Sequence, residues 1–376
     1  MSPVRRLLVR ALPLLLSVLL AGCGAPAARD AAEGDIREAV AAWSRTPPAQ
    51  LAGIPLEGWA YEVSAVRRDG AEATARAELH YRLTGYDTAP AGSAREVRLS
   101  RDGGDGGGWR VTGDRPAPGA PPQLWDQGPV AVVRGAHALV LGVGRSPQTL
   151  SEIGAEADRA VPAASAAWPG PWAGRVVVLV PDSLERMAEL LGRPAAEYRG
   201  MGAVTTGRVG AAAAPADRVV VNPEGWAELS AAGRGVVLTH EVTHVATRAA
   251  TSARTPLWLS EGFADWAAYR GGATTPQQAA PALARAVRRG ELPGALPADE
   301  AFAFGGDPEA LARGYEGAWL ACRLIAAKWG DATLVRLYEL AGRGPLATAL
   351  EETIGGDLPG LTLAWQASLR QELGAP

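Results

Sequence analysis

The segment His240-Glu241-Val242-Thr243-His244 most narrows what this chain can fold into. Histidines four residues apart share a face only on a helix, where they stand about 6 Å apart along the axis. Val236, Val237, Leu238, Val242 and Val245 surround the pair, so the segment reads as a helix with a buried apolar face. That spacing suits two imidazoles gripping one tetrahedral zinc ion. Glu241, one residue on, is turned by about 100° around the helix and is placed to act on water at the metal rather than on the metal. The whole chain contains only four histidines, so the pairing is unlikely to be accidental.

A second segment completes the pattern. Thr255-Pro256 is a good helix opening, and Leu257-Trp258-Leu259-Ser260-Glu261-Gly262-Phe263-Ala264-Asp265-Trp266 follows it. Glu261 and Asp265 are again i and i+4. Glu261 is the candidate third metal ligand. Asp265 can accept the free ring N–H of a ligating histidine and fix its tautomer. The plain alternative is an amphipathic helix with two surface histidines and a salt-bridging glutamate, but it leaves the second segment as coincidence. A stronger alternative is a site that binds metal without turning anything over, because a motif does not prove turnover.

These two segments, H-E-V-T-H and W-L-S-E-G-F-A-D-W, resemble the gluzincin zinc peptidases, in particular the peptidase MA-like families of bacterial envelope proteins. The resemblance runs from Val219 to the C-terminus, fades after Gly272, and returns at Gly314-Tyr315-Glu316-Gly317-Ala318-Trp319. It implies one zinc ion per chain held by His240, His244 and Glu261, with Glu241 as general base and Asp265 orienting a histidine. It also implies that Tyr315 stabilises the tetrahedral intermediate, although a tyrosine on an apolar helix also reads as a core residue with a satisfied hydroxyl. Two departures matter. Sixteen residues, 245–260, separate His244 from Glu261, slightly fewer than in the aminopeptidase branch. The Gly-x-Met-Glu-Asn exopeptidase motif is also missing, since Gly200-Met201-Gly202 lacks its Glu and Asn. Both favour an endopeptidase acting on a peptide or protein substrate. The strand Arg218–Asn222 is a candidate sheet edge for pairing with an extended substrate.

The first 22 residues read as a targeting segment. Arg5 and Arg6 form a basic start, Ala11–Leu20 an apolar stretch, and Leu20-Ala21-Gly22-Cys23 matches a bacterial lipobox. Cleavage before Cys23 and lipidation of its sulfur would leave a lipoprotein anchored to the outer face of the cytoplasmic membrane. An ordinary secretory signal is the alternative. The only other cysteine, Cys322, lies in an apolar helical stretch and reads as a small core residue. Net charge is −3, and loss of Arg5, Arg6 and Arg10 takes it to about −6, which gives no basic footprint for nucleic acid. Lys328 is the single lysine among many arginines, a bias of genome composition rather than function.

At 376 residues, 47% hydrophobic, the chain can bury more than one core. The expected class is α+β. After the 1–22 segment and a tether over 23–33, a small α+β domain over 34–115 is similar to cystatin-like or SnoaL-like folds. It consists of a helix over Ile36–Ser44, then strands over Trp59–Val66, Ala73–Leu83, Ala94–Ser100 and Trp109–Thr112. The glycine-rich run 102–108 is a turn. It is not a phosphate loop, because no Lys-Ser/Thr or helix start follows it. Pro116-Ala117-Pro118-Gly119-Ala120-Pro121-Pro122 reads as a stiff linker. Residues 123–376 then read as a zincin-like domain: a small mixed sheet first, a mostly helical half after it, and the site in the cleft between. His80 and His137 read as packing residues. Nothing here fixes the oligomeric state. Two other functions compete with the peptidase: a zinc-binding envelope scaffold or receptor without turnover, and a metal-dependent hydrolase of a non-peptide bond.

Overall fold

The computed structural model describes residues 26–101, 107–207, 215–304 and 306–374. The targeting segment, Cys23 and part of the glycine-rich turn lie outside the described residues. The fold is α+β and contains two sheets. In the first, β1 (Leu56–Asp69), β2 (Glu72–Leu83), β3 (Ala91–Arg101) and β4 (Trp109–Pro116) form an antiparallel meander in chain order. Strict alternation in β2 and β3 sends Ala75, Ala77, Leu79, Tyr81, Val97 and Leu99 to one face. Helix α1 (Pro26–Trp43) covers that face through Ile36 and Val40. The helix expected from Ile36 thus begins ten residues earlier, within the stretch read as a tether.

The second sheet has the order β5-β6-β7-β9-β8. Its strands are β5 (Val130–Arg134), β6 (Ala138–Val143), β7 (Val176–Val180), β8 (Ala203–Thr205) and β9 (Arg218–Val221). The pairs β6–β7 and β7–β9 are parallel, while β5 and β8 run antiparallel to their neighbours. One expectation is corrected here. The strand from Arg218 is not an edge: β9 lies between β7 and β8, and the edge beside it is β8. Val219, Val220 and Val221 are all buried, the pattern of a strand covered on both faces rather than one exposed at a margin.

Both faces of this sheet are covered. Helices α2 (Pro147–Ala167) and α5 (Ala231–Thr247) pack on Val140, Val178, Val219 and Val221. On the other side Leu139, Leu141 and Val177 meet Leu51, Ile54 and Leu83 of the N-terminal half, and α3 (Leu184–Leu191) packs near Val220. The proline-rich segment is therefore bridged by a shared core. Polar ties reinforce it: Tyr81 donates to Gln123 at 2.6 Å, and Arg218 grips Asp87, whose side chain is wholly buried, at 2.8 and 2.9 Å.

Beyond β9 the chain is helical: α4 (Pro223–Glu228), α5, α6 (Leu257–Tyr269), α7 (Pro276–Ala279), α8 (Pro281–Arg288), α9 (Pro308–Trp329), α10 (Asp331–Arg343), α11 (Leu346–Ile354) and α12 (Leu358–Leu373). The apolar periodicity over Gln277–Arg289 reads as one helix, but α7 and α8 are two, broken at Ala280 because Pro281 disfavours helical geometry in the residue before it. Ser230 caps α5 by accepting the Gly233 N–H, and Asp299 caps α6 by accepting the Leu257 N–H. Gly262 lets α6 lie tightly on α9. A β-carbon there would sit 2.2 Å from the Ala318 carbonyl oxygen and 2.9 Å from Cys322 Sγ. Cys322 is fully buried. No helix among the described residues is long and apolar enough to cross a membrane.

Candidate metal centre

Helices α5 and α6 pack side by side and bring the sequence-predicted residues together. His240 Nε2 and His244 Nε2 are 3.0 Å apart, and Glu261 Oε2 lies 3.3 Å from the first and 3.4 Å from the second. Ligand atoms about 2.0–2.1 Å from a tetrahedral zinc would be separated by about 3.3 Å. The three atoms thus form one face of a tetrahedron of the right size, and these residues could hold a metal ion. Among the described residues the converging group has these three members.

Asp265, one turn beyond Glu261, accepts from His240 Nδ1 at 2.7 Å. An ionised carboxylate can only accept, so Nδ1 carries a proton, and Nε2 is the ring atom turned toward His244 and Glu261. Glu241 is buried on the adjoining face, where its Oε2 accepts from the Thr205 hydroxyl at 2.7 Å. Tyr315, from α9, lines the same cleft, with its ring 6.3 Å from that of His240 and edge-on to Phe302. Glu261 lines the same cleft. The cleft holds about 1070 Å³, walled by β8 and α5 on one side and by the starts of α6 and α9 on the other.

The electrostatics of the side chains alone favour a cation. Burial lowers the His240 imidazolium's pKa, but Asp265, Glu261 and Glu241 raise it by more and leave it well above the histidine range. Burial raises the Glu261 carboxyl, yet the two imidazoles hold it below the usual carboxylate range. Burial pushes Glu241 up against the pull of His240, His244 and Thr205. Burial, with Glu261, Glu241 and Asp265 nearby, pushes the Tyr315 phenol far up, so it stays protonated. Three carboxylates around two imidazoles are short of positive charge, and a divalent ion held by His240, His244 and Glu261 would compensate them.

The other histidines lie elsewhere. His80 is on β2 near Glu62, and His137 Nδ1 is 3.2 Å from the Gly174 carbonyl oxygen. Sequence reasoning gave Thr205 no role. Its contact with Glu241 spans 36 residues, and no local spacing announces it.

No protein-family model matches the sequence, and no curated protein matches it. Among the solved structures that are similar are two of a Glu-to-Ala mutant of an M1 zinc metallopeptidase from Deinococcus radiodurans. One has 13% identity over 83% of this chain and 94% of that one, with a TM-score of 0.35. The other, bound to a Tyr-Ser-Ala substrate, has 12% identity over 84% and 95%, with a TM-score of 0.34. A likeness at these scores carries no argument about chemistry.

Proposed function

We propose that this chain is a zinc-dependent endopeptidase of the bacterial cell envelope, anchored through a lipid on Cys23 and acting on peptide or protein substrates. The observation that supports it is the convergence of His240, His244 and Glu261 at tetrahedral spacing, with the Glu241 carboxylate beside them at the floor of an open cleft. Zinc, when bound, supplies a Lewis acid that polarises a carbonyl and lowers the pKa of water to about 7. Glu241 takes the proton from the attacking water and returns it to the departing amine. Asp265 holds His240 in the tautomer that leaves its lone pair available. Tyr315, kept neutral, offers an O–H to the negative charge that develops on the carbonyl oxygen.

The deciding measurement is the metal content of the soluble chain from Ala25 onward, taken with cleavage of labelled casein. About one zinc per chain, lost in His240→Ala and in Glu261→Ala, with casein cleavage abolished by a chelator, is the expected result. A zinc-replete chain that binds the metal and cleaves no protein substrate would favour the scaffold reading.

A further inference from the structure

β8 is three residues long, forms the edge of the second sheet, and runs past the residue next to the first histidine. Its last residue, Thr205, pairs with Val219 in the ladder, so its backbone position is set by the sheet. Its hydroxyl faces α5 and meets two acceptors of one residue: Glu241 Oε2 at 2.7 Å and the Glu241 main-chain oxygen at 3.0 Å. Among the described residues, Thr205 gives the Glu241 side chain its only hydrogen bond. A glutamate has three rotatable bonds and is otherwise free to swing. A single O–H shared between that carboxylate and the same residue's main-chain oxygen ties the side chain to its own helix.

We propose that Thr205 is a positioning residue for Glu241, which it holds by Oε2 so that Oε1 faces the cleft with a free lone pair. This rests on the peptidase reading above. Thr205 stands in the cleft wall between Val204 and the α5 face that carries Glu241. Valine has threonine's shape without its donor, and serine keeps the donor without the methyl group, so the two substitutions separate the hydroxyl from its packing.

The test uses the zinc-loaded chain and two readouts: casein cleavage and the affinity for acetohydroxamate, a small metal chelator whose hydroxyl could donate to a carboxylate aligned beside the metal. In T205V, kcat falls on the order of tenfold to a hundredfold with KM and zinc content unchanged, as expected when a base loses its alignment. Acetohydroxamate binding weakens about tenfold in the same variant, for the lost alignment. T205S restores both. Wild-type kcat and wild-type acetohydroxamate affinity in T205V would overturn the proposal, as would a loss in T205V that T205S fails to restore. A tie that only holds strand to helix would lower the melting temperature of T205V and leave kcat per zinc-loaded chain intact. If the wild type cleaves no casein but acetohydroxamate still discriminates valine from serine, the peptidase reading fails while the positioning of Glu241 stands.

Discussion

Arg95 in the first sheet and Glu261 beside the second are both charged side chains carried into the interior, and their surroundings differ in kind. Around Arg95, which is 1% exposed, every partner is complementary. The guanidinium donates to Asp114 at 3.0 and 2.8 Å and to Asp126 at 2.7 and 2.9 Å. Asp114 also accepts from Tyr61, and Asp126 from the Gln123 backbone, so the cluster closes on itself across the proline-rich segment. Around Glu261 the carboxylate oxygen and two imidazole nitrogens, all atoms able to coordinate a metal, converge on a common point. A buried cluster whose donors and acceptors saturate each other is architecture. One whose coordinating atoms converge on a single point could hold a cation.

Three substitutions test that contrast. The largest effect belongs to Glu241→Gln, which keeps the shape and the Thr205 contact but cannot take a proton. Zinc content stays at about one per chain, and casein turnover falls on the order of 100- to 10,000-fold. Loss of the metal in this variant would mean that Glu241 is a ligand rather than a base. Next comes Arg95→Ala, which strands two half-buried carboxylates, Asp114 and Asp126. Urea unfolding shows a loss of about 3–5 kcal/mol, while the zinc affinity of the folded fraction is unchanged. The smallest is Gly262→Ala. Its β-carbon collides with the Ala318 carbonyl, so α6 shifts and costs about 1–3 kcal/mol, and zinc affinity falls because Glu261 is the adjacent residue. A wild-type zinc affinity in Gly262→Ala would show that the ligand geometry tolerates movement of α6.

What the sequence disclosed divides along the same line. His240 and His244, and again Glu261 and Asp265, are each one helical turn apart, so local periodicity exposed both pairs as soon as the two helices were read. The alternating runs of β2 and β3 were equally plain. The rest depended on distance along the chain. Thr205 meets Glu241, and Asp87 meets Arg218, through folding alone, the latter across 131 positions. β9 was read as an edge because a short valine run reveals burial but not its neighbours in the sheet. Its place between β7 and β8 is a property of topology. The break at Ala280 was written in Pro281, and the apolar periodicity on either side masked it.

The shared core beneath the second sheet has a consequence for how the molecule can be divided. Residues 117–122 look like a place to cut, and a protease that cuts there would leave two fragments held together by Leu83, Leu139 and Leu141 and by the Asp87–Arg218 clasp. Synthesis from residue 123 onward is a different operation. It removes the cover from one face of a valine- and leucine-rich sheet, and the resulting surface is adhesive. The N-terminal half is thus the lid on an apolar face of the half that carries the candidate metal site, and a cut that separates them in synthesis bares that face to water.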